Sequence, residues 1–225
     1  MKIKFILFLF GLIYVLIPNS GAAQNLRLKP IWVDDEFQIE KKYFLSSKND
    51  SIQISLCKFY FSDIELYQKG KLVYKEENSF HLINLNDSLS CSFDLKGNNI
   101  QFDEIRMNIG IDSSTNVSGI MGGDLDPVKG MYWTWQSGYI NFKIEGKSSL
   151  SKNKTGSFSY HLGGYLEPFL CVQQISLKRS FSNKIEIVFN LEDFVSKLPI
   201  ENKAEVMSPS AMAVKLSKDL ANSFK

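Results

Sequence analysis

SIQISLCKFYFSDIELY, residues 51–67, alternates apolar and polar side chains over its first half. Ile52, Ile54 and Leu56 fall on one side of an extended chain, and Gln53, Ser55 and Cys57 on the other. Period-2 alternation is the mark of a half-buried β-strand. KGKLVYKEE follows after a turn at Lys69–Gly70, which makes the pair a hairpin. The same reading continues outward. FHLINL is a short strand, and CSFDL is another, stopped by KGNN. In IRMNIGID, Ile105, Met107, Ile109 and Ile111 share a face. In YINFKIEG, Ile140, Phe142 and Ile144 oppose Asn141, Lys143 and Glu145. GSFSYHLGG sets Phe158, Tyr160 and Leu162 against Ser157, Ser159 and His161. CVQQISLKRS and NKIEIVFNLEDF complete the set. Short strands joined by Asn, Asp, Gly and Ser turns predict an all-β fold, an antiparallel β-sandwich.

The two ends differ from this pattern. At the C-terminus, Ser208–Pro209–Ser210 precedes Met212, Leu216 and Leu220, which recur every fourth residue, with Phe224 beyond them. That is a C-terminal amphipathic helix over about 208–225, packed on the sandwich. EDFVSKL reads as a helical turn. At the N-terminus, Lys2 and Lys4 precede an apolar run from Phe5 to Ile17, then Pro18 and small residues ending at Gly21 and Ala23. This is a cleavable signal peptide over residues 1–23, too short in its apolar run for a membrane span. The mature domain is then 24–225, periplasmic or secreted, with no membrane span after cleavage. Cleavage removes two lysines and no acidic residue, so basic and acidic side chains balance. There is no basic surplus to hold nucleic acid. Four Asn-X-Ser/Thr sequons, starting at Asn49, Asn86, Asn116 and Asn153, are read as chance.

Three cysteines remain, Cys57, Cys91 and Cys171. In an oxidising compartment they allow one disulfide and one spare thiol, with all three pairings open, or three buried free thiols. No C-x-x-C occurs. Hydrolytic chemistry is poorly served: there are two histidines, His81 and His161, and no G-x-S-x-G elbow near either. Phosphate loops are absent, since the glycine-rich GIMGGDLDPVKG leads into a strand. The chain is read as a non-enzyme.

Four features carry candidate chemistry, each with an ordinary alternative. Asp124 and Asp126 are spaced like calcium ligands, or they belong to a polar turn. Met121 and Met131 offer soft thioethers for Cu(I), or fill core gaps. His161 lies opposite the apolar face of its strand, where a neutral imidazole could ligate a late transition metal. His81 shares a face with Ile83 and Leu85 and reads more as a satisfied, half-buried histidine. In GMYWTWQSGYINFKIEG, an extended chain would point Met131, Trp133, Trp135 and Tyr139 one way and Tyr132, Thr134 and Gln136 the other. Two indoles on one face make either a pocket wall or a core floor.

That last motif, preceded by GGDLDP, resembles the MbnP-like family of bacterial exported copper-binding proteins. FYFSDIELYQKGKLV, FHLINL, IRMNIGID, YHLGG and VMSPSAMAVKLSKDLANSF fit the same pattern in order. The resemblance implies a secreted or periplasmic, mostly β protein linked to copper. It also implies a copper site built from histidines and a tryptophan oxidised to kynurenine, made by a di-haem partner of the cytochrome c peroxidase type. Carried over by motif, Trp133 and Trp135 match the aromatic stretch and His161 matches the histidine of the HLG stretch. His81 is the second candidate ligand. No histidine adjoins either tryptophan. The function implied is copper acquisition or handling. The alternative is a metal-free ligand- or protein-interaction sandwich.

Overall fold

The structure, a computed structural model, describes residues 23–98, 100–136, 138–179, 181–182 and 184–225. The signal peptide of the sequence reading lies outside them, save its last residue. The strands are β1 (Ala23–Trp32), β2 (Asp35–Glu36), β3 (Lys42–Leu45), β4 (Asp50–Gln68), β5 (Lys71–Lys75), β6 (Phe80–Asn84) and β7 (Ser92–Asn98). They continue with β8 (Glu104–Ile109), β9 (Tyr132–Trp133), β10 (Gly138–Ser148), β11 (Ser157–Gly163), β12 (Gln173–Lys178), β13 (Lys184–Asn190) and β14 (Glu205–Val206). Among the described residues there are also three α-helices, α1 (Ser113–Ser118), α2 (Leu191–Val195) and α3 (Ala211–Ala221), and four short 3-10 turns.

Two sheets face each other, as the alternation predicts. The smaller has the order β13–β1–β2, with β7 also on β1. The larger runs β12–β8–β4–β10–β11–β14, with β3, β5 and β6 on β4 and β9 on β10. Most pairings are antiparallel, but β1–β13 and β11–β14 are parallel. The C-terminal helix is present as α3. Ser210 caps it by accepting from the Ala213 N–H, and Leu216 and Leu220 are buried beneath it. Residues Ser223–Lys225 then lie along β13, exchanging backbone hydrogen bonds with Val188 and Asn190 and covering that strand's free edge.

A phenylalanine cluster joins the layers. Phe59 of β4 packs on Phe142 of β10, on Phe189 of the facing sheet and on Phe224 near the C-terminus, with centroids 5.6–5.9 Å apart. Phe189 and Phe224 stack at 4.5 Å, and Phe194 of α2 closes on Phe142. Cys57 and Cys171 are buried, Cys91 is half-buried, and all three are free thiols.

Strict alternation fails at three places. The β4–β10 register shifts between Glu145 and Gly146, so that Ser55 is the extra residue on β4. Cys57 therefore joins Ile52 and Ile54 in the main core, while Leu56 is left half-buried, contrary to the sequence reading. A second shift, at Asn141, turns Ile140 away from Phe142 and Ile144. Gly110, at φ 105°, ends β8 and sends Ile111 away from Ile105, Met107 and Ile109. A side chain at Gly110 would collide with Asn141, whose Oδ1 accepts the Ile111 N–H at 3.0 Å.

The displaced residues build a second core on the outer face of the large sheet. Tyr60, Ile111, Leu125, Met131, Trp133, Tyr139 and Ile140 compose it. Replacing Phe59 with alanine removes the ring shared by both layers and should cost about 3–5 kcal/mol. Denaturant unfolding of the Phe59→Ala protein measures this, and a loss under 1 kcal/mol would show that the layers do not depend on it.

Candidate metal centre

The register decides what shares a face. Lys58 of β4, Lys143 of β10 and His161 of β11 lie directly opposite one another across three strands. This is the outer face, the one that also carries Tyr60 of the second core. His161 is 6 % exposed. Its Nε2 lies 2.7 Å from Glu145 Oε1, and Lys143 Nζ lies 3.5 Å from the same oxygen. Burial lowers the His161 pKa and the Glu145 hydrogen bond opposes it, with Lys143 adding to the lowering; the net direction is down. The imidazole is therefore neutral at neutral pH. A carboxylate only accepts, so Nε2 carries the hydrogen and Nδ1 the lone pair.

The glycine-rich segment before the tryptophans is a clamp on this face. Lys58 Nζ donates to the Lys129 carbonyl and Lys143 Nζ to the Gly130 carbonyl. Asp124 accepts the Leu82 N–H at 2.9 Å and the Lys129 ammonium at 2.6 Å. Asp126 accepts the Val128 N–H and caps the Pro127–Lys129 turn. Both aspartates thus work as turn residues. Asn116 is buried, donating to the carbonyls of Ile111 and Asp112 and accepting the Tyr139 N–H. Tyr139 Oη in turn accepts the Met121 N–H. Met131 is core, and Met121 is partly exposed in the loop.

This clamp delivers the aromatic motif. β9 and β10 form a hairpin in which Trp133 pairs with Gly138. Trp133 is 6 % exposed and lies over Gly163, two residues past His161 and on its face. A Cβ on Gly163 would come within 2.7 Å of the indole Cζ3, so only glycine lets the ring seat there. Trp135 is 63 % exposed, its ring centroid 5.7 Å from that of Trp133. The sequence reading put both indoles on one strand face. The chain instead turns directly after Trp133, where Gln136 N–H bonds the Trp133 carbonyl, and lifts Trp135 into solvent.

His81 lies elsewhere. It pairs with Phe61, so its side chain is on the opposite face of the sheet from Lys58 and His161. Three strand steps also separate β6 from β11, about 14 Å at ~4.8 Å per step. The two histidines therefore do not converge on one ion. His81 stacks on Phe93 at 3.6 Å, and its Nε2 lies 2.7 Å from Glu76 Oε2, which also accepts from Ser79. Burial raises the Glu76 pKa, but the bonds from His81 and Ser79 outweigh it, and the net direction is down.

Among the described residues no three His, Cys, Asp or Glu side chains gather as a metal site. The donor set around His161 suits a soft or borderline metal in kind but not in number: one imidazole nitrogen, beside indoles that have no lone pair to give. The sequence reading missed Glu145, Glu76 and Asn116. Glu145 reaches His161 diagonally across the strand pair, a relation visible only once the register is known.

A sequence model of the MbnP family matches residues 22–208. The chain belongs to the MbnP family. Its fold is similar to that of MbnP from Methylosinus trichosporium, with a TM-score of 0.62 and 12 % identity, covering 84 % of this chain and 86 % of that one. No curated protein matches it. The matched range spans the aromatic motif, the HLG stretch and both sheets. No helix among the described residues is long and apolar enough to cross a membrane.

Two outcomes follow from this geometry. Gly163→Ala should destabilise the protein by about 1–3 kcal/mol through overpacking against Trp133; a wild-type melting temperature and unchanged tryptophan emission would contradict the seating described. A histidine whose pKa is lower folded than unfolded stabilises fully above the unfolded value and loses that stability as pH falls. Between about pH 7 and pH 5, wild-type melting temperature should therefore fall more than that of His161→Gln. Parallel curves for the two proteins would contradict it.

Proposed function

We propose that this protein is an exported copper-binding protein of copper acquisition or handling, periplasmic or secreted. One observation carries the reading: His161 presents an oriented, neutral imidazole on the same sheet face as Trp133, the buried indole of the family motif. His161 is the first ligand. Trp133, seated on the His161 strand, is a better candidate for oxidation to a ligating kynurenine than the solvent-facing Trp135. Ring opening would supply the amine and carbonyl that an indole lacks. A di-haem partner of the cytochrome c peroxidase type is the proposed oxidant. His81, on the other face, makes no part of this site.

The charge around the site selects an oxidation state. Lys143 sits between His161 and Lys58, with Lys129 nearby. Glu145 pairs with Lys143 and Asp124 with Lys129, which leaves the charge of Lys58 over, and its repulsion of a divalent ion is about twice that of a monovalent one at equal distance. Cu(I) is the form expected to bind.

A second reading rests on the exposure of Trp135, a large apolar side chain in solvent beside a family motif. There the protein is a metal-free interaction sandwich.

Competition with a Cu(I) chelator separates the two. Copper binding predicts that His161→Ala weakens Cu(I) by more than the roughly 10–100-fold that loss of an outer partner costs, while His81→Gln leaves it unchanged. No retention of Cu(I) by protein from its native host would refute the copper reading. Peptide mapping of that same protein should show Trp133 with one oxygen gained and one carbon lost. Unmodified Trp133 in a copper-loaded sample would refute the kynurenine assignment.

A further inference from the structure

We propose that Cys57 and Cys91 close a disulfide once the chain is outside the cytoplasm, stapling the β6–β7 connection to β4 and leaving Cys171 a free thiol. The proposal uses the exported location and no part of the copper reading.

Backbone pairing brings the two cysteines to one place. Lys58 of β4 pairs with Asn84 of β6, and the Leu85 N–H bonds the Cys57 carbonyl at 2.9 Å. The chain then doubles back. The Asp87 N–H bonds the Asn84 carbonyl, and the Asp87 carboxylate caps the turn Ser88–Cys91 by accepting the Leu89 N–H. The Ser90 hydroxyl accepts the Asn84 N–H and donates to the Asn84 carbonyl. Cys91 is thereby returned to the end of β6, beside the residues that pair with Cys57 and Lys58. Cys57 lies in the main core and Cys91 packs against that same core. One residue on, Ser92 joins β1 in the small sheet. The bond ties the segment that crosses between the sheets to the central strand of the larger one.

The electrostatics agree with this placement. Burial pushes the Cys57 thiol pKa up, and the neighbouring Cys91 adds to the rise. Cys171 lies apart: burial raises it too, and the group bonded to it is Ser217 of α3. Access sets the order of steps. Cys57 is fully buried and Cys91 half-buried, its thiol in a 3.9 Å contact with the Asp87 carbonyl. The Cys91 thiolate attacks the disulfide of an external oxidant, a thiol–disulfide oxidoreductase or oxidised glutathione. A mixed disulfide forms and one thiol of the oxidant leaves. The Cys57 thiolate then attacks the Cys91 sulfur and expels the second. The protein loses two electrons and two protons, which leave in the oxidant's two thiols. Outside the cytoplasm such a bond persists.

The test starts from protein in the extracytoplasmic fraction of the native host, denatured in iodoacetamide without reductant and mapped. Alkylation at Cys171 alone is expected, with a Cys57–Cys91 cross-linked peptide two hydrogens lighter than its reduced parts. Alkylation of all three cysteines, or a bond through Cys171, overturns the proposal. A second arm separates pairing from location. The same chain, reduced and refolded in a glutathione redox buffer, should regain the Cys57–Cys91 bond, and failure to do so overturns the pairing. Protein recovered only from the cytoplasm defeats the export reading by itself, and the refolding arm still decides the pairing. Dithiothreitol should lower the wild-type melting temperature by roughly 5–15 °C and leave that of Cys91→Ser unmoved. An equal response of the two proteins contradicts the staple.

Discussion

The large sheet must be covered on both faces, because the middle of β4 is apolar on both. Phe59 and Phe61 face the small sheet, and Tyr60 faces the other way, all fully buried. Rings of this size left in water would forfeit about 1.5–3 kcal/mol each. One face is closed by β1 and β13, with α2 and Phe224. Among the described residues no third sheet closes the other. It is closed by the segment from Ile111 to Trp133, held down by Asn116, Asp124, Tyr139 and the two lysines that grip Lys129 and Gly130. The site is where this cover ends. Trp133 is its last buried ring, and His161 sits just past its edge on β11.

That arrangement explains why a mostly apolar face carries a polar row. Lys58, Lys143 and His161 are opposed across strands, and like charges directly opposite one another are unfavourable. Each lysine is compensated: Lys58 by a backbone carbonyl, Lys143 by a carbonyl and by Glu145. The row therefore serves as a fastening for the loop and a frame for the imidazole together. The ground between cover and sheet is where His161 and Trp133 come onto one face.

Much of the fold was legible in the sequence. Alternation located β4, β6, β8, β10 and β11, the Lys69–Gly70 turn located the β4–β5 hairpin, and a four-residue period located α3. The bulges were not legible. Nothing in the side chains at Ser55 or Asn141 announces an extra residue, because a bulge depends on the partner strand's register. Each slip moved apolar residues to the other face and produced a second core that strict alternation cannot contain. The histidines follow the same rule. His161 was placed correctly opposite Phe158, Tyr160 and Leu162. The separation of His81 from it, however, is a matter of which strand lies between them. Trp135 was misplaced because the turn begins one residue after Trp133, with no glycine or proline until Gly138 to mark it. Family resemblance singled out the tryptophans and His161, but Glu145 carries no motif and emerged only from geometry.

The central claim is that metal binds on the outer face, at His161, and not between the two histidines. A crystal of the native-host protein loaded with Cu(I), measured on both sides of the copper absorption edge, tests it most directly. The account predicts one anomalous peak within bonding distance of His161 Nδ1, on the Trp133 side of the sheet. A peak beside His81, or one bonded to neither His161 nor Trp133, would contradict it.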